Sequence, residues 1–191
     1  KGVILYDNLD FKDDETFFQN NISVLFQDFV KYELSLKENI CLGDLSKIDI
    51  EESINLISHN FNIDFIKRDG SIDLDTQLGN WFNNGRQLSG GQWQKIALLR
   101  TFFKEAPIVI LDEPSSALDP IAEEQVMKLI YSMASTTTTI VIAHRLSSIR
   151  DMDRILVVDN GRIIEEGNHN QLMNRKGLYY QMWNTQAEKY K

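Results

Sequence analysis

Apolar residues fall along this chain in three kinds of spacing. Short, mainly apolar runs, rich in β-branched side chains, occupy residues 3–5, 22–26, 108–111 and 139–143, and such runs predict strands. The run 108–111 is wholly apolar, which predicts a strand covered on both faces. A second spacing is helical. Residues 93–103 contain neither Gly nor Pro, and Val126, Leu129, Ile130 and Met133 repeat at the interval that buries one stripe of a helix over 121–133. Ile50, Ile54, Ile57 and Phe61 keep the same period behind the acids Asp49, Glu51 and Glu52, which read as a helix start with a capping-box acid. The third spacing is a hairpin: 155–158 and 163–164 flank Asn160-Gly161, the strongest two-residue turn signal. The segment 172–183 reads as a closing helix interrupted near Gly177.

Strand, helix and strand over 108–143 predict a right-handed parallel crossover, so the residues just past both strands, Asp112 and His144, are expected at one edge of the sheet. The fold class is therefore α/β. Residues 1–31 and 104–191 are expected to build its core, and 32–103 a smaller, mostly helical part.

Composition narrows the function. At 191 residues and 42% hydrophobic content the chain can bury a sizeable core in one domain. Its net charge of −8, with no block of Lys or Arg, argues against a sequence-independent nucleic-acid partner. Cys41 is the only cysteine; an intrachain disulfide or cysteine-rich metal site is excluded, and burial as a small core residue is expected. No apolar run reaches the roughly 20 residues a membrane helix needs.

Two stretches carry chemistry. Ser89, Gly90, Gly91 and Gln92 precede the helical run 93–103, so they are placed at a helix N-terminus, where free N–H groups and the helix dipole favour an anion. The strand at 108 delivers Asp112 and Glu113 to its carboxyl end, the edge at which open α/β sheets bind ligands. There Asp112 can hold Mg²⁺ through its water shell, and Glu113 can orient and polarise an attacking water.

SGGQ at 89–92, the aliphatic run into Asp112-Glu113, and Ser116 to Asp119 in the form SALD occur in the order and spacing of the signature, Walker B and D-loop motifs, and the chain resembles the ATP-binding-cassette (ABC) ATPases. The resemblance implies a P-loop NTPase (RecA-like) parallel-sheet core with a mostly helical ABC-specific subdomain. It implies ATP and Mg²⁺ as cofactors and ATP hydrolysis coupled to transport in a complete subunit. Gln27 matches the Q-loop glutamine, which contacts Mg²⁺ and links nucleotide to the membrane domain; His144 matches the switch histidine at the γ-phosphate. Asp119 matches the D-loop aspartate that crosses a dimer interface. The implied partners are a second nucleotide-binding domain, head to tail, and the transmembrane domain of an exporter on the cytoplasmic side of the cell membrane. Residues 26–40 and 81–100 are most similar to bacterial peptide and lantibiotic exporters. Thr76 to Gly79 resembles the exporter segment before the signature, where many exporters carry glutamate at the position of Asn80.

One departure is an absence: no Gly in the chain is followed by Lys, so the G-x-x-x-x-G-K-[ST] phosphate loop is not among these residues. An N-terminally truncated domain, by itself not a competent ATPase, is the expectation. Two other readings stay open. A non-transport ABC-type ATPase would carry a long coiled coil before the signature, and the insertion here is short; a degenerate, non-hydrolysing module would fit the missing loop but not Glu113 and His144.

Overall fold

The computed structural model describes residues 3–188 except 7, 11, 50, 62, 69, 82, 83, 117, 135 and 136, and except the side chain of Asn60. The chain divides into two compact units, Lys1–Ile142 and Ala143–Lys191.

In the first unit, Leu5–Tyr6 (β1) and Leu9–Asp10 (β2) form an antiparallel pair. The first apolar run is thus a strand, but it begins at Leu5 and stays outside the parallel sheet. Asp14 then accepts a hydrogen bond from Phe17 N and starts a helix the hydrophobic pattern did not predict, Glu15–Asn21 (α1). It feeds directly into Ile22–Leu25 (β3). Ser35 and Glu38 form a reciprocal capping box on Leu36–Cys41 (α2), which buries Cys41 as expected. Glu51–Asn60 (α3) buries Ile54 and Ile57, with Phe61 buried just beyond it; Ile50 lies outside the described residues. A short antiparallel pair, Lys67–Arg68 (β4) and Ser71–Ile72 (β5), follows.

Gly90–Phe103 (α4) is the centre of this unit. Ile96, Leu98, Leu99, Phe102 and Phe103 are all buried, on more than one side of the helix, as in a helix surrounded by other elements. Phe102 meets Phe61 with ring centroids 6.0 Å apart. Each such side chain contributes about 1.5–3 kcal/mol by its burial. A helix held by five of them is not displaced by the loss of one hydrogen bond worth about 1 kcal/mol.

Ile108–Asp112 (β6) pairs in parallel with β3 on one side and with Thr138–Ile142 (β7) on the other, giving the order β3-β6-β7. Pro120–Met133 (α5) forms the crossover between β6 and β7, burying Val126, Met127 and Ile130. Ser23 and Val109 sit side by side in register, as do Leu25 and Leu111, and all four are buried. Ser23 Oγ donates to Thr101 O of α4 at 2.7 Å, so α4 packs on that face. The other face differs from expectation. Val24 and Ile110 are in register with Ile140, yet Val24, Ile140 and Ile142 are exposed. An apolar run states that a strand can be covered on two faces; whether it is covered depends on elements elsewhere.

The second unit holds the predicted hairpin, Ile155–Asp159 (β8) and Arg162–Gly167 (β9), with Asn160 at φ 47° and Gly161 at φ 74°, the two positive values a tight turn of this kind requires. His169–Arg175 (α6) and Leu178–Glu188 (α7) are separated by Lys176 in the left-handed region and by Gly177. A Cβ on Gly177 would collide with the Glu165 carboxylate, which accepts the N–H groups of Leu178 and Tyr179 and so caps α7. His169 is half-buried, with Nδ1 2.9 Å from the Tyr179 hydroxyl and its ring 4.5 Å from Trp183. Burial, then the Arg150 charge, lowers its pKa.

Candidate active site

Three of the residues singled out in the sequence meet at the carboxyl edge of the parallel sheet. β6 ends at Asp112, and Glu113 follows. β3 ends at Leu25, two residues before Gln27. Gln27 Nε2 donates to Glu113 Oε2 at 3.0 Å, across 86 residues of sequence. With its N–H group so used, the carbonyl oxygen of the same amide remains as a ligand or acceptor.

Glu113 has an unusual backbone. Its φ is +47°, in the left-handed region that non-glycine residues seldom enter, and it precedes Pro114, which pushes its predecessor toward extended conformations. Such a conformation persists only where the surroundings impose it. Glu113 N donates to Ile142 O of β7 at 2.9 Å, and Glu113 O accepts from Ser116 N at 3.2 Å. Gln94 Nε2 of α4 donates to Pro114 O.

The signature residues sit at the start of α4. Ser89 is the N-cap: its Oγ accepts from Gln92 N at 3.3 Å, and Gln92 Oε1 accepts from Ser89 N at 2.9 Å. This reciprocal box consumes one of the N–H groups expected to be free for an anion, and leaves those of Gly90 and Gly91 in the first turn. The two glycines face different surroundings. A Cβ on Gly90 would meet nothing within 4 Å, whereas one on Gly91 would come within 2.8 Å of Leu118 Cδ2. Gly91 is therefore small because its own chain packs on it.

Asp119 caps α5, accepting from Ile121 N at 3.0 Å and Ala122 N at 3.1 Å, with Pro120 at the first helical position. Those two bonds alone give the residue a structural role. Asp119→Ala is expected to cost about 1 kcal/mol of stability, read from chemical denaturation; no change would mean the cap is not formed in solution.

His144 belongs to the second unit. Its backbone carbonyl accepts from Gln186 Nε2 at 2.6 Å, and Gln186 Oε1 accepts from Leu146 N at 2.9 Å. The amide of Gln186 thus clamps the chain on both sides of Arg145.

Sequence reasoning missed Gln94, Glu33 and Gln186. Glu33 Oε2 accepts the N–H groups of Asn80 and Trp81 at 3.0 and 2.6 Å. Gly79 beside them has φ +91°, and a Cβ there would strike the Glu33 side chain. A carboxylate is thus present where Asn80 replaces glutamate, contributed from another segment. Gln77 Nε2 donates to Glu33 O, and Leu78 N to Leu34 O, so the segment that follows Gln27 is stitched to the one leading to Ser89. Nothing in the spacing of these residues points to the pairing; only the Q-x-Q of Gln92 and Gln94 next to the motif was a local signal.

Among the described residues no group of three His, Cys, Asp or Glu side chains could hold a metal by itself. Mg²⁺ keeps several waters and needs only one or two protein ligands, a demand that Asp112 and the Gln27 amide fit.

A parallel sheet with a carboxylate pair at its strand end, a glutamine bonded to one of them, and a glycine-rich helix start make an α/β domain whose ligand edge is the carboxyl end of its strands. The ABC transporter family model matches residues 1–116. The nisin transport ATP-binding protein NisT of Lactococcus lactis subsp. lactis is 48% identical over 183 residues, 95% of this chain and 30% of that protein. The subtilin transport ATP-binding protein SpaT of Bacillus subtilis is 46% identical, again over 95% of this chain and 30% of its own length. An ATP-dependent lipid A-core flippase of Alcanivorax borkumensis is 39% identical over 96% of this chain and 31% of that protein. A bacterial Atm1-family ABC exporter solved with ATP bound superposes with a TM-score of 0.84 at 36% identity, over 98% of this chain and 32% of that one. The chain belongs to the ABC transporter family, as a nucleotide-binding domain with the P-loop NTPase fold. It spans about 30% of the length of the curated relatives it matches.

Proposed function

We propose that this chain is the ATP-hydrolysing domain of an exporter that moves a peptide-like substrate. The observation that carries the reading is the Gln27–Glu113 hydrogen bond beside Asp112. It joins a residue able to sense Mg²⁺ to one able to polarise water, at the sheet edge where a nucleotide is expected. In this reading Glu113 and His144 are catalytic, Asp112 and Gln27 hold Mg²⁺, and Ser89 to Gln92 with Asp119 serve a second domain placed head to tail. Bound ATP supplies the scissile γ-phosphate. The chain's own residues orient water and metal around it.

Residues 32–103 act as the helical subdomain that carries the signature, between core segments 1–31 and 104–191. The stitching of 33–35 to 76–81 gives it a rigid strap, along which Trp81 is 86% exposed and available to a transmembrane partner. No helix of the described residues is long and apolar enough to cross a membrane. Such a partner would place the domain at the cytoplasmic face of the membrane.

The likeness to both lantibiotic transport proteins and lipid A flippases defines the test. In proteoliposomes of a full-length subunit carrying this domain, a lantibiotic precursor peptide is expected to raise ATP turnover and to accumulate inside. Stimulation by lipid A with no response to peptide would replace the peptide reading with lipid export.

A further inference from the structure

Among the described residues, Gln94 is the one buried polar side chain of α4 that hydrogen-bonds to the loop carrying Glu113. It is 3% exposed. Its Nε2 donates to Pro114 O, while its Oε1 is buried without a hydrogen-bond partner. A buried amide satisfied at only one end is a costly way to fill space, and an apolar side chain of the same length would avoid the unmatched oxygen. The bond that it does make has a definite effect. Pro114 immediately follows Glu113, whose left-handed backbone must be imposed from outside. The imposed contacts are Ile142 O on the Glu113 N–H, Ser116 N on its carbonyl, and Gln94 on the next carbonyl.

The same helix touches the loop a second time. Gly91, one turn earlier, packs so closely on Leu118 that a Cβ would lie 2.8 Å from its methyl group. Residues 91 and 94 are three apart and share one face of α4. The start of the helix is therefore fixed to this loop at Pro114 and at Leu118, while Gln27 holds the Glu113 carboxylate from the β3 side.

We propose that Gln94 is a positioning residue that fixes Glu113 through Pro114, and so ties the helix beginning at Ser89–Gln92 to the hydrolytic glutamate of its own domain. The proposal rests on the reading of Glu113 as the residue that polarises water. Its consequence is directional: an anion seated on the first turn of α4 bears on a helix whose next turn holds the glutamate. A nucleotide on the signature of one domain thereby acts on the site built around Glu113 in that same domain.

The test uses Gln94→Met, of similar length but without a donor, in a full-length subunit. The expected result is a kcat lowered on the order of 10-fold, the scale of a small misplacement at a reacting centre, with KM for ATP and the melting temperature unchanged. A merely structural glutamine would instead lower the melting temperature and leave turnover per folded molecule intact, which overturns the proposal. A double-mutant cycle adds the second readout. Because Gln94 acts through Glu113, adding Gln94→Met to Glu113→Gln is expected to lower turnover by less than about twofold further. An equal fall in both backgrounds overturns the proposal. The two readings fail differently. Normal turnover in Glu113→Gln alone removes the base and this proposal with it, whereas an inactive Glu113→Gln beside a fully active Gln94→Met overturns only the role of Gln94.

Discussion

Glu113→Gln in a full-length subunit is expected to lower ATP turnover by about 10²-fold or more, the usual contribution of a positioned proton acceptor, while ATP still binds. The substitution is close to isosteric, and the structure explains why it isolates the chemistry. Gln27 Nε2 donates to Glu113 Oε2, and a glutamine at 113 retains a carbonyl oxygen that can accept the same bond. The backbone contacts with Ile142 and Ser116 do not involve the side chain. What is lost is the negative charge and the ability to take a proton from water. Turnover is measured by phosphate release and binding by equilibrium titration with ATP and Mg²⁺. Near-normal turnover in well-folded mutant protein would remove Glu113 from the hydrolytic role and leave Asp112 as the sole functional carboxylate of the edge.

Local signals and long-range contacts were not equally legible in the sequence. The strand at Ile108–Asp112, the helices that begin at Gly90 and Pro120, and the Asn160-Gly161 turn were readable because each is fixed by residues within a few positions of one another. Placement of Asp112 and Glu113 at the sheet edge followed from the strand alone. The helix Glu15–Asn21 escaped because it is short and set by one cap, Asp14, rather than by a repeating stripe. Burial of both sheet faces was overestimated because hydrophobicity specifies capacity, whereas cover requires a particular partner; α4 supplies it for Ser23, Val109 and Leu111, and Val24, Ile140 and Ile142 stay exposed. The bonds that organise the site join distant positions: Gln27 to Glu113, Gln94 to Pro114, Glu33 to Asn80 and Trp81. No periodicity encodes such pairs. Resemblance to the family named Gln27, but only coordinates place its amide on Glu113.

Gly90→Asp is expected to abolish ATP-induced dimerisation and turnover together, while each monomer's own ATP binding persists. The argument begins with the different settings of the two glycines. A Cβ at Gly90 meets nothing within 4 Å, so an aspartate there can be accommodated in the monomer; at Gly91 any side chain would first collide with Leu118. Gly90 is thus the position where a change tests binding rather than folding. Ser89 and Gln92 satisfy one another in the capping box, which leaves the first-turn N–H groups of Gly90 and Gly91 and the helix dipole to attract an anion. A helix start of this kind attracts phosphate but has no means of gripping adenine. In the proposed head-to-tail arrangement a second domain holds the nucleotide, and an aspartate in the first turn would put a negative charge and a larger side chain against its γ-phosphate. At about 4 Å and an effective dielectric of 20, two such unit charges repel by roughly 4 kcal/mol, enough to weaken an ATP-dependent dimer about a thousandfold. Size-exclusion chromatography of complete domains carrying Glu113→Gln to block hydrolysis, with and without Gly90→Asp, separates association from chemistry. If the double mutant still dimerises with ATP, Ser89 to Gln92 do not hold a partner's phosphate, and the head-to-tail arrangement loses its support.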